Sequence, residues 1–358
     1  MSEKNNFALV IRPSSAIEKA ALGAKRILSS MVADTLELAQ IRTEPALSPS
    51  KLADPKDWST QAFIHYVTGN CAEAVKYYRK SAEQGNAIDQ RSLGFCYKKG
   101  EGVPKDYVEA MKWFRKAAEQ GDADSLNSLG DSYFYGQGVP KDHVEAIKWY
   151  RRAAEQGHAR AQNLLGICYA KGEGVTKDEA EAVAWYRKAE KKNADAQCNL
   201  GVCYQFGWGV AKDDTEATQW YRKAADRGNA RAQYHLGFCY DFGQGVANNY
   251  AEALKWYRKA ANQNFALAQC NLGRCYRDGY GVEKDFSEAV KWYHKAAERG
   301  HKSGQYNLGI CYEFGEGVAK DEAKAVIWYR KAADQGHIQA GENLILLLTK
   351  MAKSKQSE

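Results

Sequence analysis

The sequence predicts an all-α protein, a solenoid of helix-turn-helix repeats, on three observations. A Leu-Gly pair recurs at Leu93-Gly94, Leu129-Gly130, Leu165-Gly166, Leu200-Gly201, Leu236-Gly237, Leu272-Gly273 and Leu308-Gly309, at steps of 36 residues with a single step of 35. A fixed internal period overrides the two or three domains that 358 residues would otherwise suggest and makes one stacked array. After each Leu-Gly comes a glycine pair and a valine, as in Gly207-Trp208-Gly209-Val210, where glycine supplies the left-handed conformation that ends a helix. Then follows a capping box, an Asp or Asn with Glu three residues on, in six of seven copies from Asp106/Glu109 to Asp285/Glu288; in the seventh Asp321 faces Lys324.

Residues 1–53 stand outside the period. Phe7 to Ile11 is a short β-prone run ended by Arg12-Pro13, and Ser15 with Glu18 forms a capping box that opens an amphipathic helix to about Gln40. Its apolar stripe runs through Ile17, Ala24, Ile27, Leu28 and Met31, and Pro45, Pro49 and Pro55 mark a linker. Residues 54–85 read as an abbreviated capping repeat: a helix from about Trp58 to Val67, then Gly69-Asn70, then a helix from Cys71 to Gln84, with no Gly-x-Gly-Val loop.

Seven full repeats fill residues 86–336. In each, the first helix carries Leu-Gly with Tyr four after the Leu, and the Gly admits a neighbouring helix at a cost in helix propensity. The second helix reads Ala-x-x-Trp-Tyr-Arg-Lys-Ala, as at Ala253 to Ala260, and the indole is expected to be the packing wedge. Residues 337–358 form a carboxy-terminal capping helix and polar tail, with Ile345 where the repeats have Gly.

This pattern resembles the Sel1-like repeat, a relative of the tetratricopeptide repeat, over about residues 56 to 350. The resemblance implies a right-handed α/α superhelix whose first helices line a concave groove. It also implies an adaptor or scaffold for protein complexes, in bacteria often in signalling or host interaction. The cysteine-rich bacterial branch of that family links the helices of a repeat by paired cysteines, and that pairing is absent here.

Composition narrows the function. The net charge of +7 comes from 51 basic and 44 acidic residues interspersed along the chain, without the basic block of a nucleic-acid arm. Nucleic-acid binding is therefore kept as the alternative, and a hydrolytic enzyme ranks behind it. No apolar run is long enough for a membrane span or a signal-peptide core. Of nine cysteines, six share one repeat position as small packing residues. The close pairs Cys198/Cys203 and Cys270/Cys275, five apart on one helix, lie about 8 to 9 Å apart, beyond disulfide reach, which favours a reducing cytoplasm.

The Gly-x-Gly loops follow helices, not strands, so they do not read as phosphate loops, and no cofactor is expected. Neither clustered metal ligands nor a Ser-His-Asp, Cys-His or paired-carboxylate set stands out, so no catalytic or metal site is assigned. His158, His301 and His337 fill helix-start positions and read as caps.

The informative positions are those the repeat leaves free. One before the Leu lie Asn199, His235, Asn271 and Asn307, about 100° around the helix from the Leu and off the packing face. Asn both donates and accepts, which suits clamping the backbone of an extended peptide; it suits equally an inter-repeat bond that orders the stack. Along the same face lie variable aromatics, Phe206, Phe242 and Phe314, and Trp208 and Tyr280 stand inside glycine loops where the other copies have Glu or Gln. All of these except Tyr280 are the candidate sites for a protein or peptide partner. The amphipathic segment of residues 15–40 is expected to cap the stack, with docking in the groove or on a partner as other readings.

Overall fold

The computed structural model describes residues 58–356, which hold seventeen α-helices; the helix, β-run and linker expected within residues 1–57 lie outside the described residues. The chain divides into two compact units at Asp122/Ala123. The first contains α1 (Trp58–Val67), α2 (Cys71–Glu83), α3 (Ala87–Lys99) and α4 (Tyr107–Glu119). The second begins with α5 (Ala123–Tyr135), α6 (His143–Glu155), α7 (Ala159–Lys171), α8 (Glu179–Ala189), α9 (Ala194–Phe206) and α10 (Asp214–Asp226). It continues through α11 (Ala230–Phe242), α12 (Tyr250–Asn262), α13 (Ala266–Asp278), α14 (Phe286–Glu298), α15 (Lys302–Phe314), α16 (Glu322–Ala333) and α17 (Ile338–Gln356). Odd-numbered helices are the first helices of their repeats, even-numbered the second, and the architecture is an all-α repeat solenoid.

The caps act as the sequence requires. Gly207 closes α9 at φ 73° with its N–H on the Cys203 carbonyl, and Asp213 opens α10 by accepting from the N–H groups of Thr215 and Glu216. Where the seventh box lacks its Glu, Asp321 still accepts from the Lys324 N–H. His158, His301 and His337 cap through Nδ1, which accepts from an N–H three residues on.

Within a repeat the wedge is the tyrosine, not the indole. A Cβ on Gly201 would stand 2.5 Å from the Tyr221 ring, and the same relation joins Gly166 to Tyr186, Gly237 to Tyr257, Gly273 to Tyr293 and Gly309 to Tyr329. All five rings are at most 2% exposed. The next residue along a helix lies about 100° round, so the neighbouring Trp points elsewhere. Trp256 joins a core shared with the preceding repeat, beside that repeat's Tyr221 and its own repeat's Leu236, and Trp292 likewise joins Tyr257 and Leu272. Tyr thus fills its own repeat and Trp fastens it to the one before.

The glycine loops make the second fastening. Gly209, at φ +68°, sits so close to the start of α8 that a Cβ would fall 2.1 Å from the Glu179 carbonyl oxygen. Gly245 stands in the same way on Asp214 and Gly281 on Tyr250. All nine cysteines are free thiols, and all but Cys71 are buried.

Candidate partner-binding face

The buried tyrosines set the chemistry of the first-helix face, because their phenols reach through the repeat and end on it. Tyr221 Oη donates to Gln205 Oε1 at 2.6 Å, Tyr257 Oη to Asp241 Oδ2 at 2.9 Å, and Tyr150 Oη to Asp131 Oδ1 at 2.9 Å. Two of these acceptors are carboxylates only 4% exposed, and burial of a charge demands a counterion. Each receives an arginine from the next first helix: Arg160 Nη2 lies 2.8 Å from Asp131 Oδ2, and Arg274 pairs with Asp241. Neighbouring first helices are therefore joined by ion pairs on this face.

Asn199 is 3% exposed; its Nδ2 donates to Asn163 Oδ1 at 2.9 Å, one repeat back, and its Oδ1 accepts from Arg231 Nη2. Asn271 is half-buried beside the phenols of Tyr234 and Tyr257. Asn307 Nδ2 donates weakly to Cys270 Sγ at 3.6 Å. His235 stacks on the Tyr221 ring at 4.7 Å with an interplanar angle of 9° and meets Tyr234 edge-on. Burial, with Arg231 beside it, pushes its pKa down to about 3, so the ring is neutral.

The aromatics behave differently. Phe206 and Trp208 are 42% and 38% exposed and stack on each other at 5.1 Å. Phe242 is 54% exposed and leans on Phe238 at 4.4 Å, and Phe314 is 65% exposed. The Arg274 guanidinium lies 5.6 Å from the Phe242 ring and 5.4 Å from that of Tyr280, which in turn stacks on Tyr250 at 4.9 Å. Phe242 and Tyr280 thus flank the ion-paired Arg274, and Phe206 with Trp208 forms a second exposed aromatic pair.

Sequence reasoning missed Arg231, Asp241 and Gln205. Arg231 is five residues before its Leu, as Arg160 is, and comparing what each meets in the preceding repeat would have singled it out. Among the described residues no group of three or more acidic, His or Cys side chains is placed to hold a metal ion, and no helix is long and apolar enough to cross a membrane.

The Sel1 repeat model matches the chain at residues 64–86, 88–122, 123–158, 159–193, 194–229, 230–265, 266–301 and 302–337. The first match, residues 64–86, overlaps the abbreviated unit of residues 54–85. Among solved structures, a Sel1 repeat protein from Oxalobacter formigenes is 35% identical, with 69% of this chain and 96% of that one covered and a TM-score of 0.62. The protective antigen c5321 of uropathogenic Escherichia coli, which displays an SLR fold, is 32% identical over 83% of this chain and 80% of its own, with a TM-score of 0.44. No curated protein matches. Sel1-repeat proteins are in general scaffolds for protein interaction, and with its eight matched repeats the chain belongs to the Sel1-repeat family.

Proposed function

We propose that this chain is a non-catalytic adaptor that holds a protein partner, as an extended segment, on the first-helix face of residues 123–356. The observation that carries the reading is the exposure of Phe206, Trp208, Phe242 and Phe314 on one side of the array, at positions where other repeats carry different residues. Large aromatic side chains left in water at positions the stack does not require are what a partner's hot spots pack against. We assign Asn199 and Asn307 to ordering the stack, because each already has a partner within it, and Asn271 with them, because it lies half-buried beside the Tyr234 and Tyr257 phenols. His235 belongs with them, its ring being stacked on Tyr221. The role fits complex assembly or signalling in a bacterial cytoplasm, with the units at residues 54–85 and 337–358 as caps.

Selection of displayed peptides on the immobilised full chain tests this. Enriched peptides should bind the chain and lose most of their affinity for a Trp208→Ala/Phe242→Ala variant that keeps the parent's helical circular dichroism. Enriched peptides that bind that variant as well as the parent would overturn the assignment of the face.

A further inference from the structure

We infer that Arg231 is a carboxylate-binding point on the first-helix face, taking an acidic group of the partner segment that the neighbouring aromatics hold. This deepens the function proposed above and rests on it. Arg160 and Arg231 occupy the same place in their repeats, the second residue of α7 and of α11, five before Leu165 and Leu236. Arg160 meets Asp131, two after Leu129 in the preceding repeat. The position that corresponds to Asp131 for Arg231 is Val202, two after Leu200. The cation has been kept and its counterion replaced by an alkyl group.

Arg231 does not find another counterion among the described residues. Its Nε donates to Cys198 Sγ at 3.1 Å and its Nη2 to Asn199 Oδ1. Burial raises the Cys198 pKa, so that partner is a neutral thiol. Asp195 acts on Arg231 through space only, and its own Oδ1 accepts from Asn229 Nδ2 at 2.6 Å. A guanidinium has five N–H donors, and two are in use. A partly buried cation with spare donors and no carboxylate in hydrogen-bond contact is costly to the folded state, and a carboxylate in its planar fork lowers that cost.

The surroundings say what else the ligand carries. Arg231, His235, Phe238 and Phe242 follow at spacings of four, three and four along α11, which places them on one stripe. At 1.5 Å per residue the Cα atoms of Phe238 and Phe242 lie roughly 10 and 16 Å along the helix from that of Arg231, a distance an extended peptide covers in three to five residues. Between them the neutral His235 adds no competing charge. The ligand is a segment with one carboxylate within about five residues of aromatic or aliphatic side chains.

The test takes one peptide from the selection above and prepares it with each of its carboxylates, side-chain and carboxy-terminal, intact or changed singly to the amide. On the parent chain, changing one carboxylate should weaken binding about 10-fold or more, the scale of a charge-assisted hydrogen bond, and which amide does so tells a side chain from a chain end. Arg231→Met should weaken the intact peptide equally and leave the amide form unchanged, with Arg231→Lys in between. If no amide change alters affinity for the parent while Trp208→Ala/Phe242→Ala still abolishes binding, the Arg231 assignment fails and the face remains. Indifference to that double variant overturns the face itself. The peptide arm uses only the parent chain, so it decides the question even where an Arg231 variant does not fold.

Discussion

Asn199 Nδ2 donates to Asn163 Oδ1 at 2.9 Å, joining two residues 36 apart in sequence and both at most 6% exposed. Asn199 also accepts from Arg231, so three consecutive first helices meet at its side chain. Removing it strands one buried amide oxygen and one guanidinium donor, which costs about 1–3 kcal/mol. Asn199→Ala should therefore lower stability toward denaturant by that amount. Unchanged unfolding together with lost peptide binding would return Asn199 to the partner.

The glycines rank by what their missing side chain would touch. Gly228 has φ +84° with nothing within 4 Å of a Cβ, so Gly228→Ala carries only the left-handed backbone cost, about 1–2 kcal/mol. Gly201→Ala gains about 1 kcal/mol of helix propensity but drives a methyl into the Tyr221 ring, and overpacking of about 1–3 kcal/mol outweighs the gain. Gly209→Ala combines φ +68° with a clash against the Glu179 backbone, which has no rotamer to yield. It should be the most damaging of the three, measured by thermal unfolding of each variant. A Gly209→Ala chain as stable as Gly228→Ala would mean that the loop does not seat on α8.

The register-equivalent arginines should respond to the same change by different amounts. Arg160→Met leaves the Asp131 carboxylate, 4% exposed, with the Tyr150 phenol alone, and breaking a buried pair on one side costs roughly 3–5 kcal/mol, less here because Arg160 is partly exposed. Arg231→Met strands no carboxylate but leaves the buried Asn199 Oδ1 without its donor, so the loss should be smaller, about 1–3 kcal/mol. Chemical denaturation of the two variants side by side measures the difference, and equal losses would show that Arg231 has a counterion after all.

Much of this was legible in the sequence because a repeat prints its own grammar seven times. The Leu-Gly pair, the Asp213 and Asp321 caps and the Gly207 terminus are local rules, and local rules survive into the fold. The indole was misplaced because Ala, Trp and Tyr lie close on one helix, and period alone does not say which ring turns to its own repeat and which to the one before. Asn199 was undecidable for a related reason: position off the Leu face is the same for a residue that binds its neighbour and one that faces water. Pairings such as Arg274 with Asp241 span 33 residues and depend on which variable letters happen to meet across the stack.

Acid should loosen the second unit before its carboxylates titrate. Burial, then Arg231, lowers the His235 pKa to about 3, and burial, then Lys302 and His337, lowers that of His301 to about 4. An unfolded histidine titrates near 6.5. Both rings are neutral in either state well above that pH, so their contribution to stability is complete there. As pH falls from about 6.5 toward 4 the unfolded chain binds protons that the folded chain refuses, and stability declines until the folded rings protonate. The unfolding midpoint at pH 5 should lie below that at pH 7.5, with proton uptake on unfolding. His235→Phe keeps a ring on Tyr221 without a titratable nitrogen, so uptake at pH 5 should fall by about one proton. Arg231→Met removes the cation that helps hold His235 neutral, so it should shift the acid limb of the curve to higher folded pKa and flatten it. Calorimetry in buffers of different ionisation enthalpy counts the protons, and an uptake unchanged by His235→Phe would show that this histidine is charged in the folded chain.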